Sequence, residues 1–93
     1  MRVRFSQRSI QHLTDLRAYI ARESAGVADV VRLRILGTIE QLQAMPHLGR
    51  SGKSPGTREL RVSGLPFIIV YRVDLGDCEE LIILGIFRAR QDR

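Results

Sequence analysis

The chain has little of several features on which common protein functions depend. Its 93 residues contain one cysteine, two histidines and no tryptophan, and aromatic residues make up 5% of the sequence. Because Cys78 is alone, it has no partner for a disulfide within the chain, which is typical of a protein in the reducing cytoplasm. No apolar run approaches the roughly 20 residues that cross a bilayer, so we expect a cytoplasmic protein without membrane contact.

The chain also has almost no lysine, although it is basic. Lys53 is the only lysine among 15 basic residues, and the formal net charge is +5. Arginine presents a planar fork of donors that suits phosphates and carboxylates. The composition therefore indicates an anionic partner such as RNA, DNA or an acidic protein surface. A coding bias towards arginine is the alternative explanation of the same composition.

The length and the hydrophobic pattern predict one domain over 1–93. Alternating apolar residues predict strands, and apolar residues at three- and four-residue spacing predict helices. The two helices are joined by so short a link that they form a hairpin, with Gly26 able to end the first helix in a left-handed conformation. The predicted elements are a strand at 2–6, a helix capped by Ser6 or Ser9 and ending near Glu23, a helix at 27–45, and strands at 57–63, 67–73 and 81–88.

These elements predict the α+β class, in the order β-α-α-β-β-β. An N-terminal strand and a helical hairpin precede a three-stranded antiparallel meander, in one twisted sheet with both helices packed on one face. The strands at 67–73 and 81–88 are apolar on both sides, which predicts central positions in the sheet. The apolar stripe of the second helix is so broad, including Val30 and Leu33, that we expect burial on more than one side.

A glycine-rich segment and the strands after it carry the residues best suited to hold an anion. The segment 47–56 follows Pro46, which ends the second helix, and it is predicted to be a mobile loop. An arginine in a strand interior is expected to have a partner, because an unpaired buried cation costs several kcal/mol. The predicted target- or phosphate-binding residues are Arg50, Lys53, Arg58, Arg72, Arg88 and Arg90.

These cations also have structural alternatives. Arg58 could pair with a carboxylate such as Glu40 or Asp74 and only tie the sheet to a helix. Arg72 could be an exposed strand residue, and arginines near a terminus are usually solvated. If the first strand pairs beside the last, the N-terminal arginines would join the C-terminal ones in one basic stripe. These N-terminal residues are Arg2, Arg4 and Arg8.

Few residues are suited to transfer a proton. His47, in the glycine-rich segment, is the only plausible general base by residue type, and His12 is predicted to lie on the surface. Tyr71 is more typical of a core residue with a water-exposed hydroxyl than of an acid catalyst. No spacing of His, Cys or carboxylate residues indicates a metal site, and no nucleotide-binding fingerprint is present. We therefore expect no metal and no cofactor.

Three short motifs in this order resemble the RelE/ParE superfamily, the toxins of bacterial type II toxin–antitoxin modules. The resemblance is greater to the ParE branch, covers nearly the whole chain and implies the same order of strands and helices. The motifs are Pro46-x-x-Gly49-Arg50, Gly56-Thr57-Arg58-Glu59-Leu60 and Pro66-Phe67-Ile68-Ile69-Val70-Tyr71-Arg72-Val73.

The two branches imply different activities. RelE-like members are ribosome-dependent mRNA endonucleases that use basic residues of the sheet and a histidine or tyrosine near the C-terminus. Here Phe87 stands where many relatives carry histidine, so no residue at this position is suited to transfer a proton. ParE-like members poison DNA gyrase and are not known to be enzymes.

The resemblance to the ParE branch therefore implies a growth-inhibiting toxin that poisons DNA gyrase. It also implies a cognate antitoxin that neutralises the toxin in a hetero-oligomer built on an antitoxin dimer. The first alternative is an RNase that cuts ribosome-bound mRNA, with Arg58, Arg88, His47 and Tyr71 at its site. The second alternative is an inert, degenerate toxin that acts only as a binding module.

Overall fold

The computed structural model describes residues 1–89, which form five strands and two helices in the predicted order. A two-residue strand in the glycine-rich segment is the one addition to the predicted elements. The elements are β1 Arg2–Phe5, α1 Gln7–Ala21, α2 Ala25–Ala44, β2 Arg50–Ser51, β3 Arg58–Arg61, β4 Phe67–Asp74 and β5 Glu80–Arg88.

The strands form one mixed sheet in the order β1-β5-β4-β3-β2. β1 runs parallel to β5, whereas β3, β4 and β5 form the predicted antiparallel meander. β4 and β5 are central, as their apolar character on both sides predicts. The ladder between them shifts register where Val70 pairs with Gly85 and Tyr71 pairs with Ile83, so Leu84 is an extra residue in a β-bulge.

Serine side chains cap both helices. Ser6 accepts a hydrogen bond from the Ser9 N–H at 3.0 Å, and Ser24 accepts one from the Val27 N–H at 3.3 Å. Each satisfies a backbone donor that the first turn of a helix leaves free. α2 begins earlier than predicted, and Gly26 lies inside this helix without a positive φ, so its predicted left-handed role is wrong.

The core lies between the two helices and one face of the sheet, which confirms the predicted packing on one side. Aliphatic residues of α2 face buried residues of β4 and β5 and Val62, which follows β3 directly. Partly buried residues of α1 and β1 close the same core. The buried core consists of Val31, Ile35, Ile39, Leu42, Val62, Phe67, Ile69, Tyr71, Leu81, Ile83 and Ile86.

The outer side of α2 is not covered by the described part of the chain. Val30 is 52% exposed and Leu33 is 61% exposed, so the predicted burial of this helix on more than one side is wrong for residues 1–89. Neither helix in this range combines the length and the apolar character that a membrane span requires.

The segment 47–56, predicted to be a mobile loop, forms one side of a short hairpin. Arg50 pairs with Glu59 and Ser51 pairs with Arg58, so β2 adds an antiparallel strand to the edge of the sheet. The Gly52 N–H donates to the Thr57 carbonyl at 2.8 Å and closes the hairpin. The segment therefore has a defined position beside β3.

Candidate functional site

The sheet face opposite the helices carries a shallow cavity with a basic rim, here called the open-face cavity. Four apolar side chains of β4 and β5 form its floor, and four cations stand around them. The floor consists of Ile68, Val70, Leu84 and Phe87. The cations are Arg8 of α1, Arg50 and Lys53 of the hairpin that begins with β2, and Arg88 at the end of β5.

The charge of the open-face cavity is only partly balanced from within. Glu59 is the one acidic residue that lines the cavity in the described part of the chain, and its carboxylate lies 3.7 Å from the Arg50 guanidinium. The Arg50 side chain is 80% exposed, so this ion pair is screened by water and holds Arg50 weakly. Within residues 1–89, four cations against one carboxylate leave the cavity suited to an anionic ligand or surface.

Phe87 joins the floor of the cavity to α1. The Arg8 guanidinium lies 5.6 Å from the centroid of the Phe87 ring, within the range of a cation–π contact. The His12 ring meets Phe87 edge-on, with centroids 4.9 Å apart. The Nδ1 of His12 accepts a hydrogen bond from the Ile86 N–H at 3.1 Å. The prediction that His12 is a surface residue is therefore wrong, because the side chain is half-buried and bound to β5.

Tyr71 lies on the other face of the sheet, where its side chain is fully buried. Its hydroxyl donates to the Pro46 carbonyl at 2.7 Å and accepts from the Gly49 N–H at 2.9 Å. The predicted water-exposed hydroxyl is therefore wrong. Burial raises the pKa of Tyr71 above its ordinary value of 10.0, and the Gly49 N–H and the nearby Arg58 charge offset part of this rise.

Arg58 is opposite Tyr71 in the register of β3 and β4 and also reaches the glycine-rich segment. Its Nη1 donates to the Gly49 carbonyl at 2.8 Å and makes a longer contact of 3.5 Å with the His47 carbonyl. Among the described residues, Arg58 thus binds main-chain oxygens, and the expected alternative of an ion pair with Glu40 or Asp74 is not formed.

Gly49 is surrounded so closely that no side chain fits there. A Cβ atom on Gly49 would lie 2.5 Å from the Tyr71 hydroxyl oxygen and 2.8 Å from the Glu59 carbonyl oxygen. Both distances are shorter than real Cβ contacts. The glycine of the motif Pro46-x-x-Gly49-Arg50 is therefore required by close packing against β3 and β4.

The structure separates the predicted site residues into two groups. Arg50, Lys53 and Arg88 line the open-face cavity. Arg58 and Tyr71 lie on the helix-facing side of the sheet, and the exposed His47 lines a second depression together with Arg58. Arg72 is exposed but does not line the open-face cavity, and Arg90 lies outside the described residues. The four residues considered for an RNase site do not converge on one point.

Sequence reasoning missed Phe87 and Glu59 as parts of the cavity, and it gave Arg8 only as part of a basic stripe that would form if the first strand paired beside the last. Arg8 follows β1 by three residues, and β1 pairs with β5 up to Phe5 and Ile83. This pairing brings the first turn of α1 beside the end of β5 and places Arg8 over Phe87. The alternation of residues 2–6 predicts a strand there, but it does not specify that this strand pairs with the last one.

Comparison with known proteins shows the family of the chain. The family model described as the ParE toxin of the type II toxin–antitoxin system, parDE, matches residues 3–93. The chain therefore belongs to the ParE toxin family, which confirms the resemblance drawn from its motifs. It is a toxin of the type II toxin–antitoxin class.

Individual relatives agree with this assignment. The chain is 32% identical over 90 residues to "Putative toxin Y4kP" from Sinorhizobium fredii, covering 97% of this chain and 90% of that protein. A chain of the chromosomal ParDE TA system from P. aeruginosa superposes with a TM-score of 0.82 at 25% identity over 97% of both chains. The YoeB/ParE toxin from Agrobacterium tumefaciens superposes with a TM-score of 0.61 at 19% identity over 98% of this chain and 100% of that one, which supports the fold alone.

Proposed function

We propose that this protein inhibits growth by poisoning DNA gyrase in the cytoplasm, and that it contacts its target through the open-face cavity. The observation that carries the proposal is a basic, apolar-floored sheet face that the chain's own helices leave uncovered. Such a face suits either DNA phosphates held by gyrase or an acidic surface of the enzyme. Membership of the ParE family supports gyrase as the target.

The positions of Tyr71 and His47, the two residues considered for proton transfer, support binding without catalysis by either of them. The Tyr71 hydroxyl is buried in hydrogen bonds to Pro46 and Gly49, and the His47 side chain does not line the open-face cavity. A general base must lie within hydrogen-bond reach of the proton that it removes. Neither residue meets this condition for a ligand seated among Arg8, Arg50 and Arg88.

A cognate antitoxin is the second part of the proposal. The similar chain from P. aeruginosa belongs to a ParDE TA system, and the family model describes toxins of such systems. We infer that an antitoxin dimer binds this toxin in a hetero-oligomer and covers surface that residues 1–89 leave exposed. Exposed apolar residues on α2, including Val30 and Leu33, are consistent with a protein partner.

A gyrase assay with the purified protein tests the proposal. We expect the wild-type protein to inhibit supercoiling and to increase the amount of cleaved DNA. The double variant Arg50→Ala with Arg88→Ala should need about 30-fold more protein for the same inhibition, because two removed charged contacts at about 1 kcal/mol each sum to about 2 kcal/mol. Arg32→Ala changes an exposed arginine on α2 that does not line the open-face cavity, so it is the control for the loss of one positive charge elsewhere. A wild-type protein without effect on gyrase would contradict the target, and full activity of the double variant would contradict the surface.

A ribosome-dependent RNase is the second candidate, because Phe87 is 38% exposed beside Arg8 and could stack on a nucleotide base. Ribosome-dependent cleavage of mRNA measured beside the gyrase assay decides between the two. Cleavage that is lost in Arg88→Ala would favour the RNase. An inert binding module is excluded if induction of the protein arrests growth and the antitoxin relieves the arrest.

A further inference from the structure

We propose that Tyr71 and Arg58 are positioning residues, which hold the segment 46–57 so that Arg50 and Lys53 stand at the open-face cavity. In this role neither residue touches the target. The effect of the two residues on the segment can be tested on the free protein. Only the last step, the contact of Arg50 and Lys53 with the target, rests on the proposed function.

Gly49 is the point at which both residues hold the segment. Its N–H donates to the Tyr71 hydroxyl at 2.9 Å, and its carbonyl accepts from Arg58 at 2.8 Å. The same Tyr71 hydroxyl donates to the Pro46 carbonyl at 2.7 Å. These bonds fix the main chain itself, so they determine the path of the segment whatever side chains follow.

The residue after Gly49 is Arg50, the first residue of β2. This strand pairs with β3 through only two residue pairs, and an isolated pairing of this length is marginal in water. The Arg50–Glu59 ion pair is exposed and contributes little. The hydrogen bonds at Gly49, before β2, and the Gly52–Thr57 hydrogen bond, after it, therefore add to this short ladder in attaching β2 to the sheet.

The burial of Tyr71 explains why it acts through Gly49. Its side chain has no exposed surface and lies on the helix-facing side of β4. Arg50 and Lys53, by contrast, are exposed at the open-face cavity. Tyr71 can therefore affect a ligand on the open face only through the position of the segment that carries these two cations.

Amide hydrogen exchange in Tyr71→Phe tests the attachment without any target. Loss of the hydroxyl removes the acceptor of the Gly49 N–H, so we expect exchange at Gly49 to become about tenfold faster. Exchange at Ile69 in β4 reports on the whole fold and serves as the internal reference. Tyr19→Phe removes the hydroxyl of the other, exposed tyrosine and should leave Gly49 unchanged. Unchanged exchange at Gly49 relative to Ile69 in Tyr71→Phe overturns the proposal.

Substitutions of Arg58 provide a second test that does not depend on the folding of Tyr71→Phe. Arg58→Met removes the donor to the Gly49 carbonyl, so trypsin should cut faster after Arg50 and Lys53. Arg58→Lys keeps one donor and should restore slow cleavage in large part. Equal cleavage of Arg58→Met and wild type overturns the role of Arg58 in the attachment.

Gyrase inhibition then tests the consequence of the loosened segment. We expect Tyr71→Phe and Arg58→Met to need about five- to tenfold more protein for half inhibition and to show a weaker dependence on salt, because Arg50 and Lys53 are no longer held in place. Arg58→Lys should inhibit more strongly than Arg58→Met, and Tyr19→Phe should behave like wild type. Wild-type inhibition by variants with fast Gly49 exchange overturns the positioning role. If the wild-type protein has no effect on gyrase, the proposed function fails while the exchange result still decides the attachment.

Discussion

At the scale of single residues, Tyr71 connects two motifs that are far apart in the chain. The alternation of β4 predicts that Tyr71 faces the core, and it does. The partners of its hydroxyl, Pro46 and Gly49, depend on the path of the segment after α2. The sequence motif Pro46-x-x-Gly49 is thus explained by the close approach of main chain to a buried phenol.

The raised pKa of Tyr71 predicts a loss of stability in alkali. The folded state favours the protonated phenol of Tyr71. Its contribution to the free energy of unfolding is therefore fully present below the unfolded pKa of 10.0 and is lost as the pH rises through the folded pKa. We expect the free energy of unfolding to fall above pH 10, and to fall less steeply in Tyr71→Phe. Urea unfolding between about pH 9 and 11.5 measures this. Tyr19→Phe should show the wild-type dependence of the free energy of unfolding on pH. If Tyr71→Phe shows that same dependence, the Tyr71 phenol does not link folding to pH.

The predicted cations differ in whether they lie at the open-face cavity. Arg50, Lys53 and Arg58 were all predicted to bind a target or a phosphate. Arg50 and Lys53 stand at the open-face cavity, whereas Arg58 donates to main-chain oxygens on the other face. All three are basic residues in the same part of the sequence. The register of β3 against β2 and β4 places Arg58 on the face opposite to that of Arg50.

At the scale of elements, the junction of α1 with β5 is held by polar contacts at the β-bulge. The Ser6 N–H donates to the Ile83 carbonyl at 3.0 Å, and the Ser6 hydroxyl donates to the Leu84 carbonyl at 3.2 Å. Nearly two turns later, His12 accepts a hydrogen bond from the Ile86 N–H. A bulge interrupts ladder hydrogen bonds, and α1 supplies partners for the groups around it.

His12→Ala tests this junction. The substitution leaves the half-buried Ile86 N–H without its partner and removes the edge-on contact with Phe87, so we expect the free energy of unfolding to fall by about 1–3 kcal/mol. His47→Ala changes an exposed histidine and should stay within about 0.5 kcal/mol of wild type. Urea unfolding at neutral pH provides both values. Equal stability of the two variants would mean that the His12 hydrogen bond contributes nothing.

The elements themselves were predicted more accurately than their contacts. Both helices, the meander and the central positions of β4 and β5 follow from local apolar periodicity. The predicted start of α2 is too late because the prediction ends α1 at Gly26, whereas Ser24 caps α2 and Gly26 lies in its first turn. The two residues of β2 carry no periodic pattern and form a strand only because β3 lies beside them.

At the scale of the whole molecule, the fold divides the protein into a covered and an uncovered side of one sheet. Both helices pack on one face, and four cations surround the apolar floor of the other. The net charge of +5 adds a general attraction for anionic partners. The uncovered face therefore combines the long-range charge with a local surface for contact.

This distribution predicts a salt-dependent association with the proposed gyrase target. We expect the association rate of the wild-type protein to fall by about tenfold or more as salt rises from low to physiological concentration, since exposed charges are screened within about 10 Å at 0.1 M. The double variant Arg50→Ala with Arg88→Ala should show a weaker dependence. Arg32→Ala removes one charge away from the cavity and should remain closer to wild type. Surface-based kinetic binding at several salt concentrations measures these rates, and one common slope for all three proteins would contradict a localised basic surface.

The α+β class, the order of the main elements and the ParE family can be predicted from the sequence, because apolar periodicity and short motifs are local properties of the chain. The tertiary structure alone decided which cations share the open-face cavity, where the Tyr71 hydroxyl finds its partners and how His12 is used. These outcomes depend on contacts between distant residues, such as the His12–Ile86 hydrogen bond across 74 positions. A shift of one residue in strand register moves a side chain to the other face, and no local pattern specifies such a shift for an arginine.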